Sequence, residues 1–157
     1  MHIVITGGAG FLGARLARTL LALGQLSLAG APARDIARIT LVDRAPPPPD
    51  LAANPRIAAA TGDLNAQLAD DGATFWREAS AVFHLAAAVS GECEADFDLG
   101  MRSNFAATHG LLEKLRALGT RPVLVFSSSL AVFGDSPEQP LPALIDVHTL
   151  PTPQTSY

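Results

Sequence analysis

Apolar residues along this chain fall into short, nearly continuous runs that are separated by longer segments of mixed character. Five of the runs have the length of a β-strand and are bounded by glycine, proline or polar residues. They are "HIVIT" (2–6), "RITLVD" (38–43), the weaker "RIAAATGDL" (56–64), "AVFHLAAA" (81–88) and "PVLVFSSS" (122–129). Strands that are apolar on both faces are typical of a parallel sheet with helices on each side. The pattern therefore predicts an α/β fold with the order β-α-β-β-α-β-α-β.

The segments between these runs show the spacing of amphipathic helices. Leucines recur at three- and four-residue steps in 11–23, and similar spacing predicts helices around 65–79 and over 99–118. The leucines expected on the buried face of the last helix are Leu111, Leu112, Leu115 and Leu118. Prolines predict loops elsewhere: "APPPPD" (45–50) reads as an extended surface segment, and five prolines in 23 residues mark the chain from 135 onward.

Composition limits the class of protein. A chain of 157 residues is long enough for one domain with a real core, and 48% hydrophobic against 17% charged residues indicates a globular protein. A net charge of −4 with scattered arginines argues against a nucleic-acid surface. Arg15 and Arg18 interrupt the first apolar stretch, which argues against a signal peptide or membrane span. The single cysteine, Cys93, predicts neither a disulfide nor a metal site, and we expect a cytoplasmic protein.

The glycine-rich stretch "ITGGAGFLG" joins the first strand to the first helix. Gly7, Gly10 and Gly13 have the spacing G-x-x-G-x-x-G. The early glycines permit a tight turn and a close approach of the backbone to a pyrophosphate, and the last one lets the helix pack closely on the strand. The amino end of a helix also favours an anion. The stretch therefore predicts a dinucleotide site, although glycine is common in turns.

Asp43 ends the second predicted strand, thirty residues after Gly13. An acid at this position can accept hydrogen bonds from the hydroxyls of the adenosine ribose, and it would repel a 2′-phosphate. We therefore expect NAD as the cofactor in preference to NADP, although the neighbouring Arg44 reduces this selectivity. The alternative interpretation is a surface aspartate at a strand end.

Five motifs in order along the chain resemble those of the extended short-chain dehydrogenase/reductase family. They are "TGGAGFLG", "GDL" (62–64), "FHLAA" (83–87), "FSSSLAVFG" (126–134) and "TPQTSY" (152–157). The resemblance implies a Rossmann-type doubly wound parallel sheet, here with about five strands, that binds NAD. There are two departures: in "NFAAT" Ala107 replaces the usual glycine, and the chain has no residue after Tyr157 to supply the lysine of the family's Tyr-x-x-x-Lys motif. We therefore expect residues 1–157 to be an incomplete NAD-binding domain that lacks the substrate-binding part and is inactive alone.

The resemblance also implies roles for individual residues. The implied cofactor contacts are Gly7, Gly10, Phe11, Leu12, Gly13, Asp43, Arg44, Asp63, Leu64, Leu85, Ala86, Ala87, Asn104 and Ser128. Tyr157 would be the acid/base, and Ser129 would bind the same substrate oxygen. A free phenol has a pKa near ~10, and in this family the lysine lowers it toward neutrality. For Ser129 the alternative is simple turn capping, and for Asn104 it is a polar helix residue that faces solvent.

The loop "VSGECEADFDLG" (89–100) is similar to the D-erythronate dehydrogenase branch of this family. That branch implies oxidation of the 2-hydroxyl of a small sugar acid by NAD, with Ser90 as a substrate contact and a homodimer formed through 99–118. Two alternatives stay open: a nucleotide-sugar epimerase or dehydratase that retains its NAD, and a non-catalytic dinucleotide-binding module. His84 is interpreted as a hydrogen-bonded residue near the core.

Overall fold

The computed structural model describes residues 1–155 and 157, and its centre is a five-stranded parallel sheet. The strands are β1 (His2–Thr6), β2 (Gln25–Leu26), β3 (Arg34–Asp35), β4 (Arg38–Asp43), β5 (Ile57–Thr61), β6 (Ala79–His84) and β7 (Val123–Phe126). The central sheet has the order β5-β4-β1-β6-β7, whereas β2 and β3 form a separate antiparallel pair. Counted within the sheet alone, this is the order 3-2-1-4-5 of the Rossmann fold. The predicted fold class is confirmed.

Helices connect these strands. They are α1 (Phe11–Leu23), α2 (Pro49–Ala52), α3 (Leu64–Ala69), α4 (Phe75–Glu78), α5 (Ser90–Ala95), α6 (Phe97–Gly100) and α7 (Ala107–Leu118), with a π-helical segment (Met101–Ala106) before α7 and a 3₁₀ turn (Leu130–Val132) after β7. Both long helices end where glycine takes a left-handed conformation, at Gly24 (φ 69°) after α1 and at Gly119 (φ 66°) after α7. Such a residue closes a helix because its N–H bonds back to the last turn.

The sheet separates two hydrophobic cores. On one face α1 and α2 pack with Ile3, Ile5, Ala14, Ala17, Leu20, Ile36, Ile39, Leu41 and Leu51. On the other face α3, α4 and α7 pack with Val4, Val42, Leu68, Trp76, Ala79, Val82, Leu111 and Leu115. Neighbouring residues of β1 alternate between the two cores, as the pleat of a strand requires. The sheet is therefore doubly wound, as expected.

Several predicted boundaries are wrong for local reasons. The fourth predicted strand ends at His84, four residues early, and the helix predicted around 65–79 divides into α3 and α4 because Asp70 takes an extended conformation (φ −75°, ψ 112°). The helix predicted from 99 begins two residues earlier, at Phe97, and the extended Asp96 separates it from α5. In α7, Leu111 and Leu115 are buried but Leu112 is 48% exposed, because successive helical residues are turned by about 100° from each other.

The proline-rich segment is only partly a loop. The structure begins α2 at Pro49, so the predicted extended segment over 45–50 is wrong for its last two residues. Proline is well suited to the first helical position because its missing N–H would have no partner there. Arg18 of α1 donates two hydrogen bonds to the Asp50 carboxylate, at 2.7 and 2.8 Å, and thereby ties the two helices together. None of the helices in the described residues is long and apolar enough to cross a membrane.

Candidate functional site

A cleft of about 370 Å³ opens at the carboxyl edge of the central sheet. It lies where the strand order reverses around β1, which is the usual binding position in doubly wound folds. The described residues that line it are Gly7, Gly10, Phe11, Leu12, Gly13, Val42, Asp43, Arg44, Gly62, Asp63, Leu64, Asn65, Leu85, Ala86, Ala87, Ala88, Val89, Ser103 and Ala107. Twelve of the fourteen cofactor residues predicted from the sequence are in this set; Asn104 and Ser128 are not.

The glycine loop is built so tightly that side chains are excluded from most of it. At Gly13 an added Cβ would lie 2.1 Å from the carbonyl oxygen of Gly7, and at Gly7 (φ +70°) it would lie 2.9 Å from the backbone nitrogen of Ala86. At Gly10, by contrast, the nearest atom would be the Gly7 oxygen at 3.3 Å, and Gly10 is exposed. The loop is therefore packed on the protein side and open on the cleft side.

The amino end of α1 faces this opening, and no side chain among the described residues caps it. Gly10 is the N-cap and supplies no side-chain hydrogen bond, and the first turn contains no acidic residue. The first N–H groups of a helix have no partner within the helix, and together with the helix dipole they favour an anion. The backbone N–H groups at the start of α1 are donors of the kind that bind a pyrophosphate, and the exposed glycine beside them leaves room for it.

Asp43 connects the glycine loop to the edge of β4. Its Oδ2 accepts a hydrogen bond from the backbone N–H of Ala9 at 3.0 Å, and its Oδ1 accepts one from the N–H of Ala45 at 3.1 Å. A carboxylate oxygen can accept more than one hydrogen bond. The side chain is half-buried, so it can hold the loop and still accept from a ligand hydroxyl in the cleft.

Asp63 has a structural task at the next strand end. It is the N-cap of α3, and its Oδ1 accepts hydrogen bonds from the N–H groups of Asn65 at 2.9 Å and Ala66 at 3.3 Å. Aspartate is among the preferred N-cap residues because it satisfies such donors. Both bonds go to one oxygen, so the carboxylate keeps acceptor capacity on the side of the cleft.

Sequence reasoning missed the wall that the helical segment contributes. Ser103 and Ala107 both line the cleft, and their four-residue spacing places them on one helical face. Ala107, which replaces the usual glycine in "NFAAT", is a buried lining residue of the cleft. The available signal for this wall was the stretch "NFAAT", which contains Ala107, but serine and alanine themselves are not characteristic of a cofactor site.

The side chain of Asn104 makes hydrogen bonds to other residues of the protein, and Asn104 is not among the lining residues of the cleft. Oδ1 accepts from the backbone N–H of Ala88 at 2.8 Å, and Nδ2 donates to the carbonyl of Ala88 at 3.1 Å and to Sγ of Cys93 at 3.5 Å. The residue belongs to the π-helical segment, a distortion that is frequent at functional sites. Asn104 is thus half-buried and clamps the loop after β6, so it does not simply face solvent.

The serine run follows β7 at the same edge of the sheet. The N–H of Ser127 donates to the carbonyl of His84 at 3.2 Å, which keeps the serines beside the end of β6. Ser128 is exposed, whereas Ser129 is half-buried, and its Oγ accepts from the N–H of Ala131 at 3.1 Å. Ser129 therefore caps the 3₁₀ turn that follows it.

The remaining predicted residues lie outside the cleft lining. Ser90 is an exposed residue at the start of α5, and Tyr157 is half-buried. Neither these two nor Ser129 is part of the lining among the described residues. His84 is 2% exposed, and burial lowers the pKa of its imidazole. In the described part of the chain, no group of three or more His, Cys, Asp or Glu side chains is arranged to hold a metal ion.

The sequence of the chain matches a known protein family. The sequence model of the NAD dependent epimerase/dehydratase family matches residues 3–157. The chain is 47% identical over 161 residues to the D-erythronate dehydrogenase of Cupriavidus necator and 40% identical over 157 residues to that of Haemophilus influenzae. Both alignments cover 100% of this chain, but only 46% and 45% of the respective relative. The chain thus spans about half the length of the curated relatives it matches.

Solved structures show the same architecture. The nucleoside-diphosphate-sugar epimerase from Agrobacterium tumefaciens superimposes with a TM-score of 0.79 at 38% identity, over 99% of this chain and 44% of that one. MoeE5 in complex with UDP-glucuronic acid and NAD superimposes with a TM-score of 0.75 at 27% identity, over 100% of this chain and 44% of that one. The motifs, the fold and these matches agree, and the chain belongs to the NAD dependent epimerase/dehydratase family.

Proposed function

We propose that the full-length gene product is an NAD-dependent dehydrogenase that oxidises the 2-hydroxyl of a small sugar acid of the D-erythronate type. The observation that carries this proposal is the identity of 47% and 40% to two D-erythronate dehydrogenases across the whole of this chain. The cleft supports it because the exposed Gly10, the uncapped start of α1 and the Asp43 carboxylate form one continuous surface for a dinucleotide. A cytoplasmic location is part of the proposal, because the single cysteine fits a reducing compartment.

The residues of the cleft bind the cofactor from one end to the other. Asp43 accepts hydrogen bonds from the adenosine ribose, the amides at the start of α1 donate to the pyrophosphate, and Leu85 and Ala86 lie along the remaining part. The chemistry that bound NAD would supply here is the acceptance of a hydride from the carbon that carries the oxidised hydroxyl. Asp43 disfavours a 2′-phosphate, so NAD is bound in preference to NADP.

Two side chains act on the substrate hydroxyl: one donates a hydrogen bond to it and the other removes its proton. The Oγ of Ser129 accepts from the N–H of Ala131, so its own proton can be donated to the substrate oxygen. Tyr157 takes the proton of the hydroxyl as the C–H bond breaks, and a lysine one helical turn later lowers the pKa of such a phenol. The product is a keto acid. Ser90 is assigned to a further substrate contact.

A homodimer is part of the proposal. Apolar side chains are exposed along one side of the helical run, at Phe97 (60%), Met101 (39%), Phe105 (64%) and Leu112 (48%). Their separations of four, four and seven residues keep them on one helical face. A second copy of the protein that presents the same stripe would cover both, as in a two-fold symmetric interface.

The test uses the full-length gene product with NAD and D-erythronate, monitored by the absorbance of reduced nicotinamide. We expect turnover by the wild type and a loss of about a hundredfold or more in kcat for Tyr157→Phe, because general acid–base catalysis contributes about that much. Tyr157→Phe should leave the Kd for NAD unchanged. An unchanged kcat in this variant would refute the role of Tyr157. We further expect the 157-residue chain alone to be inactive.

A second candidate function is nucleotide-sugar epimerisation. It is favoured by the 38% identity to a structure named as a nucleoside-diphosphate-sugar epimerase. Turnover of a UDP-sugar without net release of reduced nicotinamide, and with no reaction on D-erythronate, would replace the first proposal with this one. Binding of NAD without either reaction would favour a non-catalytic dinucleotide-binding module.

A further inference from the structure

Two buried threonine–histidine pairs lie in the central sheet. In one pair, the Thr6 hydroxyl lies 2.6 Å from Nδ1 of His84 at the carboxyl edge, beside the cleft. In the other, the Thr40 hydroxyl lies 2.8 Å from Nε2 of His2, away from that edge. All four side chains are less than 10% exposed. The pairs are chemically alike but differ in position, so each is a control for the other.

The hydrogen bonds around His84 determine where each proton lies. The hydroxyl of Thr108 donates to the carbonyl of Asn104 at 2.6 Å. The Thr108 oxygen is therefore the acceptor in its 2.9 Å contact with Nε2 of His84, which must carry the ring proton. Nδ1 is then an acceptor, and the Thr6 hydroxyl donates to it. The result is a directed chain of hydrogen bonds from β1 through His84 to α7.

The Thr6 end of this hydrogen-bond chain holds the backbone that lines the cleft. Because the Thr6 proton points to His84, the Thr6 hydroxyl oxygen accepts from the N–H groups of Leu85 and Ala86, each at 3.2 Å. The Leu85 N–H also donates to the Thr6 carbonyl at 3.2 Å, so the Ala86 N–H is the one that depends on the hydroxyl. Both residues line the cleft. Farther along, Ala88 is held through its N–H and its carbonyl by Asn104. The turn over 85–88 is therefore fixed at both ends by side chains from outside it.

We propose that Thr6, His84 and Thr108 are positioning residues for the cofactor, because their hydrogen-bond chain holds the turn over 85–88 in the shape that binds NAD. The three residues are not among the described residues that line the cleft, so they act through Leu85 and Ala86. This inference rests on the proposed function, in which NAD is the ligand. It extends the sequence interpretation of His84 as a merely structural residue.

The experiment compares matched variants of the full-length protein by calorimetric titration with NAD and by thermal unfolding. Thr6→Val removes the hydroxyl but keeps the shape, and Thr6→Ser restores the hydroxyl. Thr40→Val removes the hydroxyl of the other pair. We expect Thr6→Val to raise the Kd for NAD about tenfold or more, since a buried donor without a partner costs enough to change an equilibrium by that factor. Thr6→Ser should stay within about twofold of the wild type.

Thr40→Val is expected to lower the Tm about as much as Thr6→Val while leaving the Kd for NAD unchanged. An equal rise of Kd in the two variants would overturn the proposal, because the effect would then follow general stability. A Kd within about twofold of the wild type in folded Thr6→Val would overturn it as well. If Thr6→Val does not fold, Thr108→Val is used instead, because it removes the hydroxyl at the other end of the hydrogen-bond chain. Its Kd for NAD and its Tm are compared with those of Thr40→Val in the same way.

Failure of the proposed function can be recognised separately. NAD binding without oxidation of D-erythronate leaves the comparison of Kd values intact. If the wild type binds no NAD, the proposal is tested by amide hydrogen exchange: the Ala86 amide, which loses its acceptor, should exchange faster in Thr6→Val than in Thr40→Val. Equal exchange rates would refute the positioning role.

Discussion

Asp43 serves both the fold and the site with one side chain. The sequence predicts it as an acceptor for ribose hydroxyls because it ends a parallel strand. The structure adds a hydrogen bond from the N–H of Ala9, which ties the carboxylate to the glycine loop. Removing the carboxylate therefore removes a ligand contact and a loop support together.

We expect Asp43→Ala to raise the Kd for NAD about tenfold or more without creating tight binding of NADP, because the Ala9 amide loses its acceptor. Titration of the variant with NAD and with NADP measures both effects. Asp50→Ala is the control: it breaks the exposed hydrogen bonds to Arg18 and should leave both constants unchanged. Tight NADP binding by Asp43→Ala would show that the loop needs no support from this carboxylate.

The buried histidines make stability depend on pH. Burial is the main cause that lowers the pKa of both His84 and His2 from 6.5, and for His2 the nearby Glu78 opposes the shift. A histidine with a lowered folded-state pKa takes up its proton more readily in the unfolded chain. The free energy of unfolding therefore has its highest value above pH 6.5, where the histidines are neutral in both states. It falls as the pH drops from 6.5 to the lower folded-state pKa values, and it levels off below them. Unfolding by urea between pH 7.5 and about 5 measures this slope.

His84→Asn keeps an acceptor near Thr6 but does not titrate in this range, so it should flatten the slope of stability against pH. His148 is exposed, and His148→Asn is the matched control that should leave the slope as in the wild type. A steeper or unchanged slope in His84→Asn would contradict the assignment of a neutral, buried imidazole.

At the level of elements, the packing of α1 against the turn that precedes it requires glycine at position 13. An added Cβ at Gly13 would lie 2.1 Å from the Gly7 oxygen, which is backbone and cannot move aside without opening the loop. In α7, by contrast, an added Cβ at Gly110 would lie 3.5 Å from Cδ1 of Leu68, an ordinary contact. The same change of glycine to alanine therefore has opposite consequences in the two helices.

We expect Gly13→Ala to destabilise the protein by about 2 kcal/mol or more and to abolish NAD binding, because overpacking distorts the loop. Gly110→Ala should stabilise it by about 0.5–1 kcal/mol, since alanine is the better helix former. Chemical unfolding and titration with NAD test both. Equal stability of Gly13→Ala and the wild type would mean that the loop is looser than its contacts indicate.

Across the whole molecule, the sheet order brings distant segments to one edge. β1 lies between β4 and β6, so the segments that follow these three strands meet around the cleft. Parallel strands make this possible because all their carboxyl ends point the same way. The order also governs burial: Ile3, Val4 and Ile5 of the central strand are fully buried, whereas Val125 and Phe126 of the edge strand are 42% and 56% exposed.

The sequence by itself determined the features that depend on neighbours along the chain. The bounds of β1, α1 and β4 follow from local apolar spacing and from glycine at the turns, and they agree with the structure. The positions of the glycine loop and of Asp43 in the cleft follow as well, because both are strand-end features of a parallel sheet. These were predictable since each depends on backbone conformation or on the direction of one strand.

Only the tertiary structure decided which side chains meet. The Thr6–His84 bond joins residues 78 positions apart. The Asn104–Ala88 clamp joins residues 16 apart, and Asn104 lies in a π-helical segment that no local pattern predicts. Similarly, the apolar sequence of β7 is typical of a buried strand. Its residues are nevertheless partly exposed, because β7 is the edge strand of the sheet. Partners and burial are set by packing between elements, and packing is a property of the whole fold rather than of any one stretch of sequence.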